Sequence, residues 1–102
     1  MAEYKVELLL AAWQDIERIA DQQLVLAGAA SAKRLTDSIL DTLDKLSLFP
    51  YMGALHPDPV LSLRQYRKVI CGIYVCIYKV VDQHVYVYRI VNGKTDYPSL
   101  LK

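Results

Sequence analysis

The sequence predicts an α+β domain: an N-terminal strand, an α-helical hairpin, then a three-stranded antiparallel meander, with the helices packed on one sheet face. Three observations carry this. Apolar residues recur every three to four positions from about Ala11 to Leu48. From Leu63 the period changes to two, in runs rich in Val, Ile and Tyr. Between these regions Pro50, Gly53, Pro57 and Pro59 break any regular pattern. Helices grouped ahead of strands, rather than alternating with them, indicate an α+β layer arrangement and not a parallel α/β sheet.

Tyr4 to Leu10 reads as a short opening strand ending in Leu8-Leu9-Leu10. A first helix follows from about Ala11 to Leu26, with Trp13, Ile16, Ile19 or Ala20, and Leu24 on its apolar side and Asp15, Glu17 and Asp21 on the other. Trp13 reads as its core anchor. Gly28 is a helix stop and Ser31 a candidate N-cap for a second helix reaching about Leu48. Ala32, Leu35, Ile39, Leu43 and Leu46 form the second stripe, so the two helices make an αα-hairpin. Residues 54–62 read as an irregular connector. Strands are expected at Arg64–Cys71, Ile73–Val81 and His84–Val91, the last two joined by the two-residue turn Asp82-Gln83.

Length and composition bound the function. A chain of 102 residues, 54% hydrophobic and 23% charged, reads as one globular domain over residues 1–102. No apolar run approaches the roughly 18 residues that cross a bilayer, and Met1-Ala2-Glu3-Tyr4-Lys5 does not read as a signal peptide. Cys71 and Cys76 have no second pair, which excludes a disulfide framework and a zinc site and suits a reducing cytoplasm. They read as small apolar fillers. No metal, cofactor or membrane partner is expected.

Charge is divided unevenly. Residues 1–63 carry five Lys/Arg against nine Asp/Glu, whereas residues 64–102 carry seven against two. This split suggests a face that meets a polyanion or an acidic protein, although ordinary solvated charge would look similar. Strand alternation places Tyr74, Cys76 and Tyr78 on one face of their strand and Val75, Ile77 and Lys79 on the other. On the last strand Tyr86, Tyr88 and Ile90 oppose Val85, Val87, Arg89 and Val91. Two helices cover only one face, so the reverse is expected to be partly apolar, partly basic and open to a partner, unless the tail after Gly93 folds over it.

Several segments together resemble the RelE/ParE toxin superfamily. Leu46-Ser47-Leu48-Phe49-Pro50-Tyr51-Met52-Gly53 is similar to its Leu-x-x-Phe-Pro-x-Met-Gly segment. Gly72-Ile73-Tyr74-Val75-Cys76-Ile77-Tyr78-Lys79-Val80 and Val85-Tyr86-Val87-Tyr88-Arg89-Ile90-Val91-Asn92-Gly93-Lys94-Thr95-Asp96 resemble its strand patterns, and Asp96-Tyr97-Pro98-Ser99-Leu100-Leu101 its closing stretch. The resemblance implies the toxin of a type II toxin–antitoxin system, which inhibits growth and is held in a hetero-oligomer by a cognate antitoxin. The target it implies is either DNA gyrase, as for ParE-like members, or the ribosome with mRNA, as for RelE-like members. A degenerate, non-toxic binding module is a further alternative.

Metal-free RNA cleavage needs a base for the 2′-hydroxyl, an acid for the leaving oxygen and cations for the phosphorane. If the chain is such a ribonuclease, the resemblance points to Arg67, Arg89 and Lys94 on the phosphate, with Tyr97 assisting proton transfer. Val75 stands where ribonucleolytic relatives place Arg, Asn92 where they have His, and neutral Thr95 after Lys94. Loss of one cationic stabiliser costs about a hundredfold or more in rate, so these departures favour a gyrase-type binder or a weak enzyme over a competent ribonuclease. Arg64, Lys68, Val75, Ile77 and Lys79 are then the candidate target- or antitoxin-binding residues.

Each candidate also has a plain structural reading. Arg89, alone in an apolar strand, could pair with Asp96 or with an acid from the helices. Arg67 and Lys68 must face opposite sides of a regular strand. Tyr97, just before Pro98, could be a packing residue. Tyr74, Tyr78, Tyr86 and Tyr88 could stack bases but suit a core. His56 and His84 read as surface residues.

Overall fold

A computed structural model describes residues 3–102; Met1 and Ala2, at the head of the opening pentapeptide, lie outside the described residues. Along the chain run β1 (Lys5–Leu8), α1 (Leu10–Ala27), α2 (Ala29–Asp44), β2 (Ala54–Leu55), α3 (Pro59–Leu63), β3 (Arg67–Cys71), β4 (Tyr74–Val81) and β5 (His84–Asn92). Tight 3-10 turns follow α2 at Lys45–Ser47 and close the chain at Pro98–Leu101. The strands form one five-stranded sheet in the order β1-β5-β4-β3-β2. Neighbours are antiparallel except β1 and β5, which are parallel with Lys5 opposite His84 and Leu8 opposite Val87.

The expected α+β order therefore holds, with differences at the joints. The opening strand stops at Leu8, because the Leu9 carbonyl already accepts the amides of Ala12 and Trp13 and so begins the helix. Gly28 ends α1 as expected and also takes the N-cap position of α2 expected of Ser31. Its N–H closes α1 on the Leu24 carbonyl at 3.0 Å and its own carbonyl accepts the Ala32 amide at 3.1 Å. Its φ of 89° and ψ of 172° belong to a region open essentially to glycine. Ser31 lies inside α2 and its hydroxyl meets the Gln23 amide nitrogen at 2.9 Å. The connector is partly ordered: β2 pairs with β3, and Asp58 caps α3 by accepting the Val60 and Leu61 amides.

One core lies between the helical hairpin and the sheet. Ala12, Ile16 and Ile19 of α1 meet Ile39 and Leu43 of α2 over Cys76, Tyr78, Val85, Val87 and Ile90. Burying each large aliphatic side chain there contributes about 1.5–3 kcal/mol. Trp13 is not the expected anchor: it is 50% exposed, one step around α1 from the buried stripe. Leu24 is also exposed, near the free end of the hairpin.

The reverse face of the sheet is not open throughout. Leu61, Tyr66, Val75, Ile77, Val91 and Tyr97 form a second core, flanked by Tyr88 and Leu101. α3 and the tail after Gly93 thus close over this part of the sheet, giving the apolar residues of β4 a second partner. A bulge sets which side chains of β5 face which core. Ile77 pairs with Arg89 but Tyr78 pairs with Val87, so Tyr88 stands opposite no residue. Ile90 consequently joins Val85 and Val87 on the helix side, while Val91 joins the second core. Unbroken alternation had placed Ile90 with Tyr86 and Tyr88.

Candidate functional site

The sequence candidates divide among four places. Arg67 lies on the helix side of β3, opposite Tyr78, and Lys68 on the reverse side, opposite Ile77, as alternation requires. The Arg67 guanidinium donates from Nη1 to the Gly53 carbonyl at 2.8 Å and lies 4.8 Å from the centre of the Tyr51 ring. The Tyr78 hydroxyl accepts the Gly53 amide at 3.0 Å. A Cβ at Gly53 would collide with the Lys68 carbonyl oxygen and lie 2.7 Å from the Tyr78 hydroxyl. The glycine closing the Phe-Pro-x-Met-Gly segment is there because two groups of the sheet press on its backbone. Arg67 serves that contact.

Arg89 sits at the other side of β4, where β5 runs past the end of β1. It pairs with a helix acid, Asp15, through Nε to Oδ2 at 2.7 Å and Nη2 to Oδ1 at 2.9 Å. The Ile90 amide, left without a strand partner there, donates to Oδ2 at 2.9 Å, and Arg18 donates to Oδ1 at 2.9 Å. Asp15 is 1% exposed, contrary to its expected place on the outer side of α1. Burial alone would raise its carboxyl pKa. The Arg89 guanidinium, the Ile90 amide and Arg18 outweigh that and hold it below the ordinary carboxylate value. One signal for this was available: Asp15 is three residues after Ala12 and four before Ile19, inside the buried stripe.

Tyr97 is buried in the second core, where its hydroxyl meets His56 Nε2 at 2.7 Å. His56 Nδ1 accepts the Asp58 amide at 3.0 Å, so the neutral ring carries its proton on Nε2 and donates it to Tyr97. The histidine is 4% exposed, not a surface residue. Burial, assisted by the nearby Lys68 charge and opposed by Asp58, pushes its pKa below the usual histidine value. Burial likewise raises the Tyr97 phenol. Nothing local in the sequence marks this pair, whose members lie 41 positions apart.

Lys94 is exposed in the turn after β5, where its amide bonds the Asn92 side chain. Arg64, also exposed, donates to the carbonyls of Leu101 and Lys102 and holds the tail down. Val75 and Ile77 cannot be contact residues for a partner, since both are buried in the second core under α3 and the tail. Lys79 remains half-buried on the reverse face, its Nζ 4.1 Å from the centre of the Tyr66 ring and 5.4 Å from that of Tyr88. Lys68 and Lys79 are what survives of the expected basic reverse face. Arg67, Arg89, Lys94 and Tyr97 do not converge on one point. Among the described residues no group of three or more His, Cys, Asp or Glu is placed to hold a metal, and no helix is long and apolar enough to cross a membrane.

A helical hairpin lies on one face of a five-stranded sheet whose β1 runs parallel to the last strand at one edge, a fold found in solved toxin–antitoxin structures. A structure of the chromosomal ParDE toxin–antitoxin system from P. aeruginosa shares it, with a TM-score of 0.78 at 19% identity over 90% of this chain and 98% of that one. The RelBE2 toxin–antitoxin complex from Mycobacterium tuberculosis is similar, with a TM-score of 0.66 at 17% identity over 88% of this chain and 98% of that one. The family described as ParE toxin of type II toxin-antitoxin system, parDE, matches residues 6–97. The chain belongs to that family. Among curated protein sequences none matches it significantly.

Proposed function

We propose that this ParE-family toxin arrests growth by binding DNA gyrase in the cytoplasm, without cutting RNA, and that a cognate antitoxin silences it in a toxin–antitoxin hetero-oligomer. The observation that carries the choice of target is the dispersal of the four ribonuclease candidates. Arg67 is spent on Gly53, Arg89 on Asp15 and Tyr97 on His56, while Lys94 stands apart in a turn. Transition-state stabilisation needs donors preorganised around one phosphate, whereas Arg67 and Arg89 are committed elsewhere and Lys94 has neither beside it in its turn. Lys68, Lys79 and Arg64 supply the basic surface for the target.

Exposed apolar surface supports the antitoxin. Leu10, Trp13, Leu24, Val25 and Leu26 of α1 stand largely in solvent, Val25 at 86%. They form two patches, Leu10 and Trp13 at the start of α1 and Leu24, Val25 and Leu26 at its close, separated by exposed Glu17 and Asp21, and each offers apolar contact to a partner's amphipathic helix. Induced expression, with and without the product of a neighbouring short reading frame, tests toxicity and its neutralisation. Purified toxin in a gyrase supercoiling assay, beside transcript mapping on stalled ribosomes, tests the target. Inhibited supercoiling with intact transcripts is expected. Cleaved transcripts that vanish with Arg89→Ala would overturn the choice of gyrase.

A further inference from the structure

Where β5 outruns β1, a groove of about 320 Å³ opens between α1, the end of the sheet and the tail. Arg18, Ile19 and Gln22 form one wall, Arg89 and Val91 the floor, and Thr95 and Leu100 the far wall. Two guanidinium groups meet here on a single carboxylate, leaving one positive charge in excess. Arg89 commits two donors to Asp15. Arg18 gives only Nη2, and its side chain is 52% exposed at the groove.

We propose that this groove receives one acidic side chain of the antitoxin, whose carboxylate pairs with Arg18 while its aliphatic stem lies against Ile19, Val91 and Leu100. This rests on the reading above that a cognate antitoxin binds the chain. Two features favour a carboxylate on a protein over a nucleic-acid phosphate. The guanidinium fork accepts either anion, but the apolar surface of Ile19, Val91 and Leu100 beside it fits the aliphatic stem of an acidic side chain. Exposed Glu17 and Asp21, beside Arg18 on α1, would repel a polyanion but tolerate one seated charge.

Arg18→Ala and Arg18→Glu test the proposal, since both leave the Arg89–Asp15 pair in place. Binding to the antitoxin is measured by titration calorimetry at two salt concentrations, with thermal unfolding as the control for folding. Arg18→Ala should weaken binding about tenfold or more with only a small drop in Tm, and Arg18→Glu further, with a larger drop because its carboxylate faces buried Asp15. Changing the antitoxin's acidic residues singly to their amides should find one that reproduces the loss and adds nothing to Arg18→Ala; changed instead to Arg, it should restore binding to Arg18→Glu. A complex that tolerates both Arg18 variants overturns the groove assignment alone. A wild-type chain that forms no complex overturns the antitoxin reading and the groove with it. Transfer of the affinity to a short oligonucleotide would replace the protein carboxylate by a phosphate and so also defeat the proposal.

Discussion

Replacing Asp15 by Ala tests how the edge of the sheet is held to α1. The change deletes the acceptor for both Arg89 donors, for Arg18 and for the Ile90 amide. A buried amide left unpartnered costs about 1–3 kcal/mol. One-sided loss of a buried ion pair costs about 3–5 kcal/mol. Arg89 is 23% exposed and can partly rehydrate, so the expected total is about 3–4 kcal/mol, at or just below the bottom of their combined range of about 4–8 kcal/mol. For a domain of this size that lowers Tm by about 12–30 °C. Asp15→Asn keeps a neutral acceptor and should lose roughly half as much. Urea and thermal unfolding of Asp15→Ala, Arg89→Met and the double variant give the coupling, expected at about 1–3 kcal/mol. The direction with pH follows from the depressed carboxyl. Its stabilisation is present above the unfolded value of about 3.9 and is lost as pH falls through the lower folded value, a loss that Asp15→Asn should flatten. A cost for Asp15→Ala below about 1 kcal/mol, or strictly additive single variants, would refute the reasoning.

Further predictions address the other joints. Gly53→Ala should destabilise by about 1–3 kcal/mol in urea unfolding, because neither the Lys68 carbonyl nor the Tyr78 hydroxyl can yield without disturbing the sheet. Tyr97→Phe should cost about 1–3 kcal/mol by leaving the His56 Nε2–H buried without an acceptor. His56 should titrate by NMR below the ordinary histidine value of about 6.5. With that folded value depressed, the stability it contributes is present above about pH 6.5 and falls as pH drops through the folded value, so His56→Gln should weaken this dependence. Cys76 is fully buried and its thiol is pushed up to about 12, chiefly by burial, so alkylation at pH 8 should label it only under unfolding conditions.

The sequence was most informative where its signal was local. Ile39, Leu43 and Leu46 fell into the core as their spacing required, and Arg67 and Lys68 separated to opposite faces by simple alternation. Trp13 went astray because helical spacing marks a stripe without saying how wide the covered part of it is. β5 departed from alternation because the bulge inserts Tyr88 into the count, and nothing in Val-Tyr-Val-Tyr-Arg announces a missing partner. The candidate site was the least legible part. Val75 and Ile77 looked like an open surface until α3 and the tail were placed over them. Asp15 looked solvated until β5 presented a free amide and a guanidinium to it.

By itself, the order of residues determined the kinds of element, their succession and the segments shared with RelE/ParE toxins, because periodicity and turn chemistry act over a few neighbours. The tertiary structure alone decided which charges are paired, which sheet face is closed and where a groove remains. Those outcomes depend on Asp15 meeting Arg89 across 74 positions and His56 meeting Tyr97 across 41. Burial makes such distant polar pairs necessary, since a group removed from water must find its partner wherever the fold supplies one.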